Sequence, residues 1–322
     1  MAGMTPPDLV LVADIGGTHS RFGLVEAGKR FPHDIAALDN DHFAGPRDAM
    51  RHYLGATGGK PVRAVLALAG PMENGTVHLT NRADWSFRPA ELAAEFAMRE
   101  IAVVNDFAAL AEALPYLEDL TPLGPDLPLT RATKVVFGPG TGLGVAGLVY
   151  HKGEWIVAPS EGGHIEFAAT NEREAAIFSI LRRDFGRVSA ELVVSGEGIE
   201  RLDMAVAEVD GLDTARREGS TISQAARRGE ARGREVMTLF FDTLARFAGD
   251  MALTFVAHGG VYIGGGVLPK TLDLMDVDRF RAIFTAKRPH ETLVAGIPTV
   301  MIASETPTLT GCAAIAARGA LD

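Results

Sequence analysis

The sequence is poor in the features that mark secreted, zinc-binding and membrane proteins. Its 322 residues include one cysteine, Cys312, so the chain cannot form an internal disulfide or a zinc site built on several thiolates. No apolar run approaches the ~18 residues that a membrane span requires. The opening segment, MAGMTPPDLV, lacks the basic stretch and apolar core of a signal peptide. We therefore expect a soluble protein in a reducing cytoplasm, without a membrane partner.

Positive charge is also scarce in this chain. The 31 Lys and Arg residues stand against 41 Asp and Glu residues, which gives a formal net charge of −10, and the sequence contains no basic run. Because nucleic-acid backbones are bound mainly through Lys and Arg, we do not expect nucleic acid as a partner. An anionic ligand would have to be bound by main-chain amides, a few cations and a metal ion. The length allows two domains with substantial cores.

Glycine-rich turns at the ends of apolar segments are what the sequence does have. The stretch Leu9–Val25, LVLVADIGGTHSRFGLV, predicts a strand, a turn and a second strand. Gly16 and Gly17 let main-chain amides approach a ligand, and clustered amides bind anions. Asp14 supplies a carboxylate that can hold a hydrated Mg²⁺. The turn is neither a Walker loop nor a Rossmann fingerprint, because a strand follows it. An ordinary hairpin is the alternative interpretation.

Two further turns of this kind follow. The segment Lys134–Tyr150 repeats the strand–turn–strand pattern, and a third apolar strand ends at Gly264–Gly266. Three such turns can hold a nucleoside triphosphate on several sides, and Thr18 and Thr141 add hydroxyl donors. The repeated hairpin indicates a duplicated lobe, and the Pro-rich segment 121–133 is typical of a connection between lobes.

Apolar periodicity predicts the remaining elements. Strands are expected over Phe31–Ala37, Val62–Ala69, Thr76–Leu79 and Ile101–Val104. Helices are expected over Pro46–Leu54, Pro89–Met98, Ile199–Val209, Ile222–Val256 and Leu309–Leu321. A capping box formed by Asn171 and Glu174 predicts a further helix that runs to about Asp184.

The pair Asn105-Asp106 has two interpretations. Either residue can cap the helix-favouring run FAALAEAL that follows. A carboxylate at the carboxyl end of a strand is equally the place for a general base. In phosphoryl transfer such a base need not be strong, because the proton leaves late in a loose transition state. The residues alone leave both interpretations open.

Other polar residues match the hydroxyls of a sugar. In SEGGHIEF, Glu161 and His164 offer acceptors and a donor at close range, although a polar turn with a core-facing histidine explains the same pattern. Glu191 is typical of an exposed helix-terminal residue when taken alone. Asn81 is a possible sugar contact, and Trp85 is expected to pack inside a turn.

Taken in order along the whole chain, these motifs resemble the bacterial glucokinase family. The motifs are DIGGTHSR, LTNRADWSF, VVNDFAAL, GPGTGLGV, SEGGHIEF, VSAE and YIGGG. The resemblance implies the two-lobed actin-like ATPase (ribonuclease H-like) α/β fold shared with hexokinases, actin and chaperone ATPases. Each lobe would carry a mixed five-stranded sheet flanked by helices. A small domain (1–116 with 306–322) and a large domain (117–305) would close on a cleft.

The resemblance also implies transfer of the ATP γ-phosphate to the 6-hydroxyl of glucose by a cytoplasmic homodimer. Asp106 would be the catalytic base. The implied sugar-binding residues are Asn81, Asn105, Asp106, Glu161, His164 and Glu191. The implied nucleotide-binding residues are Ala13, Asp14, Ile15, Gly16, Gly17, Thr18, Thr141, Gly142, Gly265 and Gly266. Asp14 would hold Mg²⁺ through water.

Two departures from related patterns stand out. The repressor/open-reading-frame/kinase (ROK) branch of sugar kinases carries a cysteine-rich zinc motif, and a chain with one cysteine does not fit it. His19 occupies a place where relatives frequently carry asparagine. Three alternatives remain at this point: a kinase for mannose, fructose or an amino sugar; an actin-like or chaperone-like ATPase module; and a sugar-sensing regulator, for which the acidic chain supplies no DNA-binding segment.

Overall fold

The structure, a computed structural model, describes residues 8–213 and 215–318. The chain divides into two compact units. Unit 1 comprises the described residues up to Glu118 together with those from Ser304 onward, and unit 2 comprises the described residues of Asp119–Ala303. Each unit has its own mixed β-sheet. The domain limits predicted from the sequence, and the cleft predicted between the lobes, stay predictions.

The chain contains both strands and helices, with a long helical stretch over residues 172–255. The strands are β1 (Leu9–Ile15), β2 (His19–Glu26), β3 (His33–Asp39), β4 (Arg63–Leu68), β5 (Met72–Glu73), β6 (Thr76–His78), β7 (Ser86–Phe87), β8 (Glu100–Asn105), β9 (Leu120–Pro122), β10 (Lys134–Pro139), β11 (Leu143–His151), β12 (Glu154–Ser160), β13 (Val261–Ile263) and β14 (Thr299–Ile302). The α-helices are α1 (Pro46–Thr57), α2 (Pro89–Glu95), α3 (Asp106–Ala113), α4 (Glu172–Phe185), α5 (Ala190–Val193), α6 (Gly196–Val209), α7 (Gly219–Arg227), α8 (Ala231–Phe255), α9 (Leu268–Thr271), α10 (Val277–Thr285), α11 (Glu291–Ala295) and α12 (Pro307–Ala317). Short 3-10 turns cover Asn40–His42, Leu114–Tyr116, Gly162–His164 and Leu272–Leu274.

The sheet of unit 1 has the strand order β3-β2-β1-β4-β8, in which β4 runs parallel to both β1 and β8. Strand β1 is buried on both faces because its apolar side chains alternate between two cores. Leu11 belongs to a core with residues of α1 and α2, whereas Val10 and Val12 pack with residues of α3 and α12. The carboxyl ends of β1, β4 and β8 therefore meet at one edge of the sheet.

The sheet of unit 2 has the order β12-β11-β10-β13-β14-β9, one strand more than the predicted five. The additional strand is β9, which pairs antiparallel with β14 at the start of the segment predicted to connect the lobes. Strands β10, β13 and β14 run parallel, so their carboxyl ends share one edge. The long helix α8 covers this sheet, and Phe247 meets Phe137 of β10 edge to face at 5.0 Å between ring centroids.

Most predicted elements are present with shifted ends, and two further predictions require correction. The helix expected over Ile222–Val256 is two helices, α7 and α8, because Gly229 adopts a left-handed φ of 88° between them. The capping box at the start of α4 is half formed. Asn171 accepts from the Glu174 amide at 2.9 Å, but the Glu174 carboxylate turns back to the amide and hydroxyl of Thr170. The last residues of the helix predicted over Leu309–Leu321 lie outside the described residues.

Lys134, at the start of β10, is a buried charge with several partners. It is 4% exposed and donates to the carbonyls of Thr130 and Gly259 and to the Tyr262 hydroxyl. Burial lowers the pKa of Lys134 to about 8. Among the helices of the described residues, none combines the length and apolar character required to cross a bilayer.

The buried lysine predicts a specific dependence of stability on pH. The Lys134 pKa is about 8 in the folded chain and 10.5 ordinarily, so between these values the unfolded chain binds more protons. The contribution of Lys134 to the free energy of unfolding therefore rises with pH through that window, by up to ~3 kcal/mol. Urea unfolding at pH 7.5, 9 and 10 should show a free energy of unfolding that rises with pH more steeply, or falls less, in the wild type than in Lys134→Met, because the other groups that titrate in this range, such as the buried thiol of Cys312, are common to both proteins. Lys270→Met, at an exposed position, is the control; an identical pH profile for all three proteins would contradict the prediction.

Candidate active site

The predicted site residues of unit 1 lie at the carboxyl edge of its sheet. Asp14 is next to last in β1, and the turn Gly16–Thr18 joins β1 to β2. The Gly16 amide closes the turn by donating to the His19 carbonyl at 3.0 Å. Ala13 and Ile15 are buried, so they can contribute to a nucleotide site only through their main chain. The hairpin therefore exposes a short stretch of backbone beside one carboxylate.

The charge of Asp14 is in an unfavourable environment. Its side chain is 23% exposed and lies 3.7 Å from Arg21, its neighbour in the antiparallel pair β1–β2. Burial raises the pKa of Asp14 to about 6; Arg21 opposes this rise, and the nearby charge of Asp106 adds to it. A carboxylate of this kind is stabilised by any cation that comes next to it.

Asn105 and Asp106 both bind free amides at the start of α3, as predicted, and both lie at the carboxyl end of β8. Asn105 ends β8, and its side-chain oxygen accepts from the Ala108 amide at 3.0 Å, which caps α3. Asp106 is the first residue of α3, and its Oδ1 accepts from the Phe107 amide at 2.9 Å. In the sheet, Asp14 of β1 lies opposite Ala67 of β4, and Leu68, the next residue of β4, lies opposite Asn105 of β8. Strand β4 thus lies between the other two, so two strand spacings, about 10 Å, separate β1 from β8 at this edge.

Asn81 lies against the Gly16–Thr18 turn. A Cβ on Gly17 would lie 3.0 Å from the Asn81 carbonyl oxygen and 3.1 Å from its Cβ, so the glycine permits this approach. The next residue, Arg82, donates to the Gly17 carbonyl at 3.2 Å and lies over the ring of Trp85 at 4.8 Å. Trp85 is buried, as predicted for an aromatic that packs inside a turn. The predicted sugar residue and phosphate turn of unit 1 are thus neighbours.

Two glycine turns meet at the carboxyl edge of the sheet in unit 2. The turn Gly140–Gly142 joins β10 to β11, and its Gly140 carbonyl accepts from the Gly196 amide at 2.8 Å. Gly264, directly after β13, donates to Phe137 of β10 at 2.8 Å. Gly265 has a φ of 81°, and a Cβ there would collide with the Pro139 carbonyl. The structure therefore brings together the predicted nucleotide residues of this unit, which are Thr141, Gly142, Gly265 and Gly266.

The three predicted sugar residues of unit 2 also form a cluster. His164 Nε2 lies 3.8 Å from Glu161 Oε2, and His164 Nδ1 lies 3.8 Å from Glu191 Oε1. Their exposed fractions are 51% for His164, 90% for Glu161 and 31% for Glu191, so the cluster presents two carboxylates and an imidazole to solvent. These are groups that accept and donate hydrogen bonds to vicinal hydroxyls.

The local backbone explains why these distant residues meet. Residues 165–167 pair with residues 188–190: the Phe167 amide donates to the Val188 carbonyl at 2.9 Å, and the Ala190 amide donates to the Ile165 carbonyl at 3.0 Å. This pairing brings His164 beside Glu191 of α5. Gly163 passes so close to the Leu143 carbonyl that a Cβ would collide with it, which accounts for the glycine directly before His164.

Glu191 has a partner that sequence patterns did not reveal. Its Oε2 accepts from the Leu143 amide at 2.8 Å, and a Cβ on Gly142 would lie 2.5 Å from the same oxygen. One carboxylate therefore contacts both the histidine of the sugar cluster and the second glycine turn. No sequence signal identifies this link, because 48 residues separate the amide from the carboxylate.

The chain offers no ready-made metal cage within residues 8–213 and 215–318. In that part of the chain no three His, Cys, Asp or Glu side chains are grouped closely enough to hold an ion by themselves. The Mg²⁺ prediction therefore depends on Asp14 through water. This agrees with the usual behaviour of Mg²⁺, which keeps several waters and binds substrate phosphates with one or two carboxylates.

Comparison with known proteins decides the family. The glucokinase family model matches residues 11–319. Glucokinase of Rhizobium meliloti strain 1021 is 38% identical over 314 residues, which cover 96% of this chain and 92% of that protein. The chain belongs to the glucokinase family. The predicted enzyme class is confirmed with it: the chain is a glucose-phosphorylating enzyme, and the ATPase-module alternative is not supported.

Solved structures support the same assignment at the level of the fold. Glucokinase from an Antarctic psychrotroph, known from a crystal structure, is 36% identical in sequence and superposes with a TM-score of 0.86. The match covers 97% of this chain and 99% of that one. A ROK-family glucokinase from Streptomyces griseus is 20% identical, with a TM-score of 0.62, and the match covers 97% of this chain and 100% of that one. The predicted actin-like fold class is confirmed, and the likeness to the ROK protein shows that fold alone.

Proposed function

We propose that this glucokinase-family chain transfers the γ-phosphate of ATP to the 6-hydroxyl of glucose, with Asp106 as the base. The observation that carries the proposal is the position of Asp106. Asp106 is the first residue of α3 and lies at the same sheet edge as the Gly16–Thr18 turn. Its carboxylate is close enough to Asp14 to raise the Asp14 pKa. A base and a phosphate-binding backbone at one edge are what hydroxyl phosphorylation requires.

Asp106 takes the proton of the sugar hydroxyl as phosphate transfer proceeds. The hydroxyl becomes a strong acid only once it bonds to phosphorus, so a carboxylate of ordinary basicity accepts the proton late in the reaction. One oxygen of Asp106 is held by the Phe107 amide, which fixes the carboxylate at the helix start. The main contribution of this residue is therefore to orient the hydroxyl and to receive its proton.

Glu161, His164 and Glu191 bind sugar hydroxyls in unit 2, and Asn81 and Asn105 do so in unit 1. The two carboxylates accept from vicinal hydroxyls, and the imidazole between them either donates or accepts. A sugar lacking one of these hydroxyls would leave polar groups of the cluster without a partner. The support for this part of the proposal is the pair of 3.8 Å distances that join the His164 ring to the two carboxylates.

The glycine turns bind the phosphates of ATP through backbone amides, with the hydroxyls of Thr18 and Thr141 as further donors. The carboxylate of Asp14, with its raised pKa, fits a divalent cation, because a positive charge offsets both its burial and its repulsion from Asp106. Asp14 would hold Mg²⁺ through water. When bound, that ion would supply positive charge to offset the negative charge of the ATP phosphates. The Streptomyces griseus protein of the same fold contains glucose and AMPPNP, which supports this choice of ligands.

Localisation and assembly are part of the proposal. We place the protein in the cytoplasm, where ATP is available and a lone buried thiol such as Cys312 stays reduced. We expect a homodimer on the basis of the family resemblance. Light scattering coupled to size-exclusion chromatography would give about 68 kDa for a dimer, twice the 34.1 kDa of one chain; a mass of one chain would overturn the expectation.

A coupled assay for hexose 6-phosphate tests the proposed activity. The purified chain is incubated with Mg²⁺, each of several donors and a panel of glucose, mannose, fructose and glucosamine. We expect kcat/KM for glucose with ATP to exceed that for the other sugars by at least about tenfold, since each mismatched hydroxyl leaves a buried or charged partner unpaired. Equal rates across the panel would point to a general hexose kinase, and sugar-independent ATP hydrolysis would refute the proposal.

A further inference from the structure

Asn40 is a fully buried asparagine in unit 1 to which the sequence assigned no role. It follows β3 in the 3-10 turn Asn40–His42 and has no exposed surface. Its side-chain Nδ2 donates to two carbonyls, those of Gly16 at 2.8 Å and Gly17 at 3.2 Å. Its Oδ1 accepts from the Ser20 hydroxyl at 2.7 Å, and Ser20 is buried as well. Two carbonyl partners require the amide NH₂ at that position, so the orientation of the side chain is determined.

These bonds fix the direction of the backbone amides in the turn. A trans peptide group is planar, so the carbonyl of one residue and the N–H of the next point in opposite directions. The carbonyls of Gly16 and Gly17 face Asn40, and the Thr18 carbonyl accepts from the Asn40 amide at 2.9 Å. The N–H groups of Gly17 and Thr18 consequently point away from Asn40.

The two N–H groups have no acceptor among residues 8–213 and 215–318. Successive free amides directed to one side form a concavity that binds an anion. Because glycine has no strong preference between backbone conformations, Gly16 and Gly17 would rotate readily without an external constraint. Asn40 and Ser20 supply that constraint from inside the protein. Arg82 adds a second donor to the Gly17 carbonyl, at 3.2 Å.

We infer that Asn40, oriented by Ser20, is a positioning residue that holds the Gly17 and Thr18 amides ready for the phosphates of ATP. The inference rests on the proposed function, in which this turn binds the nucleotide. Asn40 itself touches no substrate. Its effect reaches the nucleotide through preorganisation: without the clamp, binding ATP would have to order the glycines as well as contact them.

Four variants test this inference. Asn40→Ala removes both bonds to the turn. Asn40→Asp keeps the size and the Ser20 partner but places a carboxylate oxygen against the Gly16 and Gly17 carbonyls. Ser20→Ala removes only the bond that orients Asn40. The control is Asn171→Ala, which deletes the asparagine cap of α4 in unit 2, since that side chain accepts from the Glu174 amide.

Calorimetric titration with Mg²⁺-AMPPNP and with glucose separates the two ligands. We expect both Asn40 variants to raise the Kd for AMPPNP and the KM for ATP about tenfold, the effect of losing one charge-assisted bond from a turn amide to a phosphate oxygen. Ser20→Ala should raise both about threefold. The Kd for glucose should stay within about twofold in every variant. Asn171→Ala should lower the melting temperature without changing either Kd.

Two results would overturn the inference. One is an unchanged Kd for AMPPNP in the folded Asn40 variants, or in Ser20→Ala if neither Asn40 variant folds. The other is an equal loss of affinity for AMPPNP and glucose, which would show general damage to unit 1. Wild-type turnover reports separately on the proposed function: a wild type that binds AMPPNP but does not phosphorylate glucose refutes that function, and the nucleotide Kd values still judge the role of Asn40.

Discussion

Replacement of Asp106 by asparagine should lower kcat about a thousandfold and leave the Kd for glucose within about threefold. A positioned general base contributes ~10²- to 10⁴-fold to a rate, and asparagine cannot accept a proton. Asparagine has the size of aspartate, and its side-chain oxygen can keep the bond from the Phe107 amide, so the start of α3 should be preserved. The amide can still contact a sugar hydroxyl, which is why binding should survive. Steady-state kinetics and glucose calorimetry on the same preparation measure both quantities.

The control for Asp106→Asn is another carboxylate-to-amide change in the same unit. Asp48, in the first turn of α1, has a side chain that is 41% exposed and forms an ion pair with Arg51 on the surface. Asp48→Asn should leave kcat and the glucose Kd unchanged, because it removes an exposed pair of small energetic value. Asp106→Asn with near-normal kcat would show that another group takes the proton.

Replacement of Gly142 by alanine should weaken glucose binding, although Gly142 lies in a turn predicted to bind the nucleotide. The new Cβ would lie 2.5 Å from Glu191 Oε2, so the carboxylate has to move away from the Leu143 amide, and its approach to His164 changes with it. Loss of a hydrogen bond to a charged group costs ~1.5–3 kcal/mol, which corresponds to roughly a 10- to 150-fold rise in the KM for glucose. The measurement is the KM for glucose at saturating ATP.

Gly266 provides a matched control for this change. It lies in the other glycine turn of unit 2, and a Cβ there has no heavy atom within 4 Å. Gly266→Ala should therefore leave the KM for glucose within about twofold, since it adds a methyl group in open space. If Gly142→Ala also leaves that KM unchanged, or if the two variants behave alike, the contact between Glu191 and the turn does not matter for the sugar.

The sequence was sufficient for the elements whose signals are local. Both hairpins follow from an apolar strand, a glycine turn and a second apolar strand, and the alternation of Val10, Leu11 and Val12 between two cores explains why β1 is central. The Asn105 cap is likewise a local contact, between residues three apart in the chain. Such patterns depend on neighbours in sequence, so one sequence contains them.

Contacts between segments that are distant in the chain could not be predicted from the sequence in this way. The pairing of Glu191 with the Leu143 amide and the clamp of Asn40 on Gly16 and Gly17 both depend on the tertiary fold. In the sequence, Asn40 is typical of an ordinary loop residue, and no periodic pattern predicts that it is buried. The sixth strand of unit 2 was missed for a related reason. Leu120–Pro122 is short and contains proline, which is tolerated because β9 lies at the edge of its sheet.

Family motifs supplied what neither local pattern nor spacing could. Taken alone, Glu191 is an exposed helix-terminal residue, and Glu161 and His164 form a polar turn. The structure brings these three side chains together, which is the arrangement that a sugar site requires, while their roles in binding stay predictions. The pairing of residues 165–167 with residues 188–190 is the physical cause of the cluster, and it has no signature in the sequence.

A crystal structure of this chain with glucose and a non-hydrolysable ATP analogue would test the role of Asp106 most directly. The distance to measure is the one between the glucose 6-hydroxyl oxygen and the nearer carboxylate oxygen of Asp106. We predict a hydrogen-bond distance of ~2.6–3.2 Å. A 6-hydroxyl well beyond that distance, bonded instead to a different acid or base, would contradict the account.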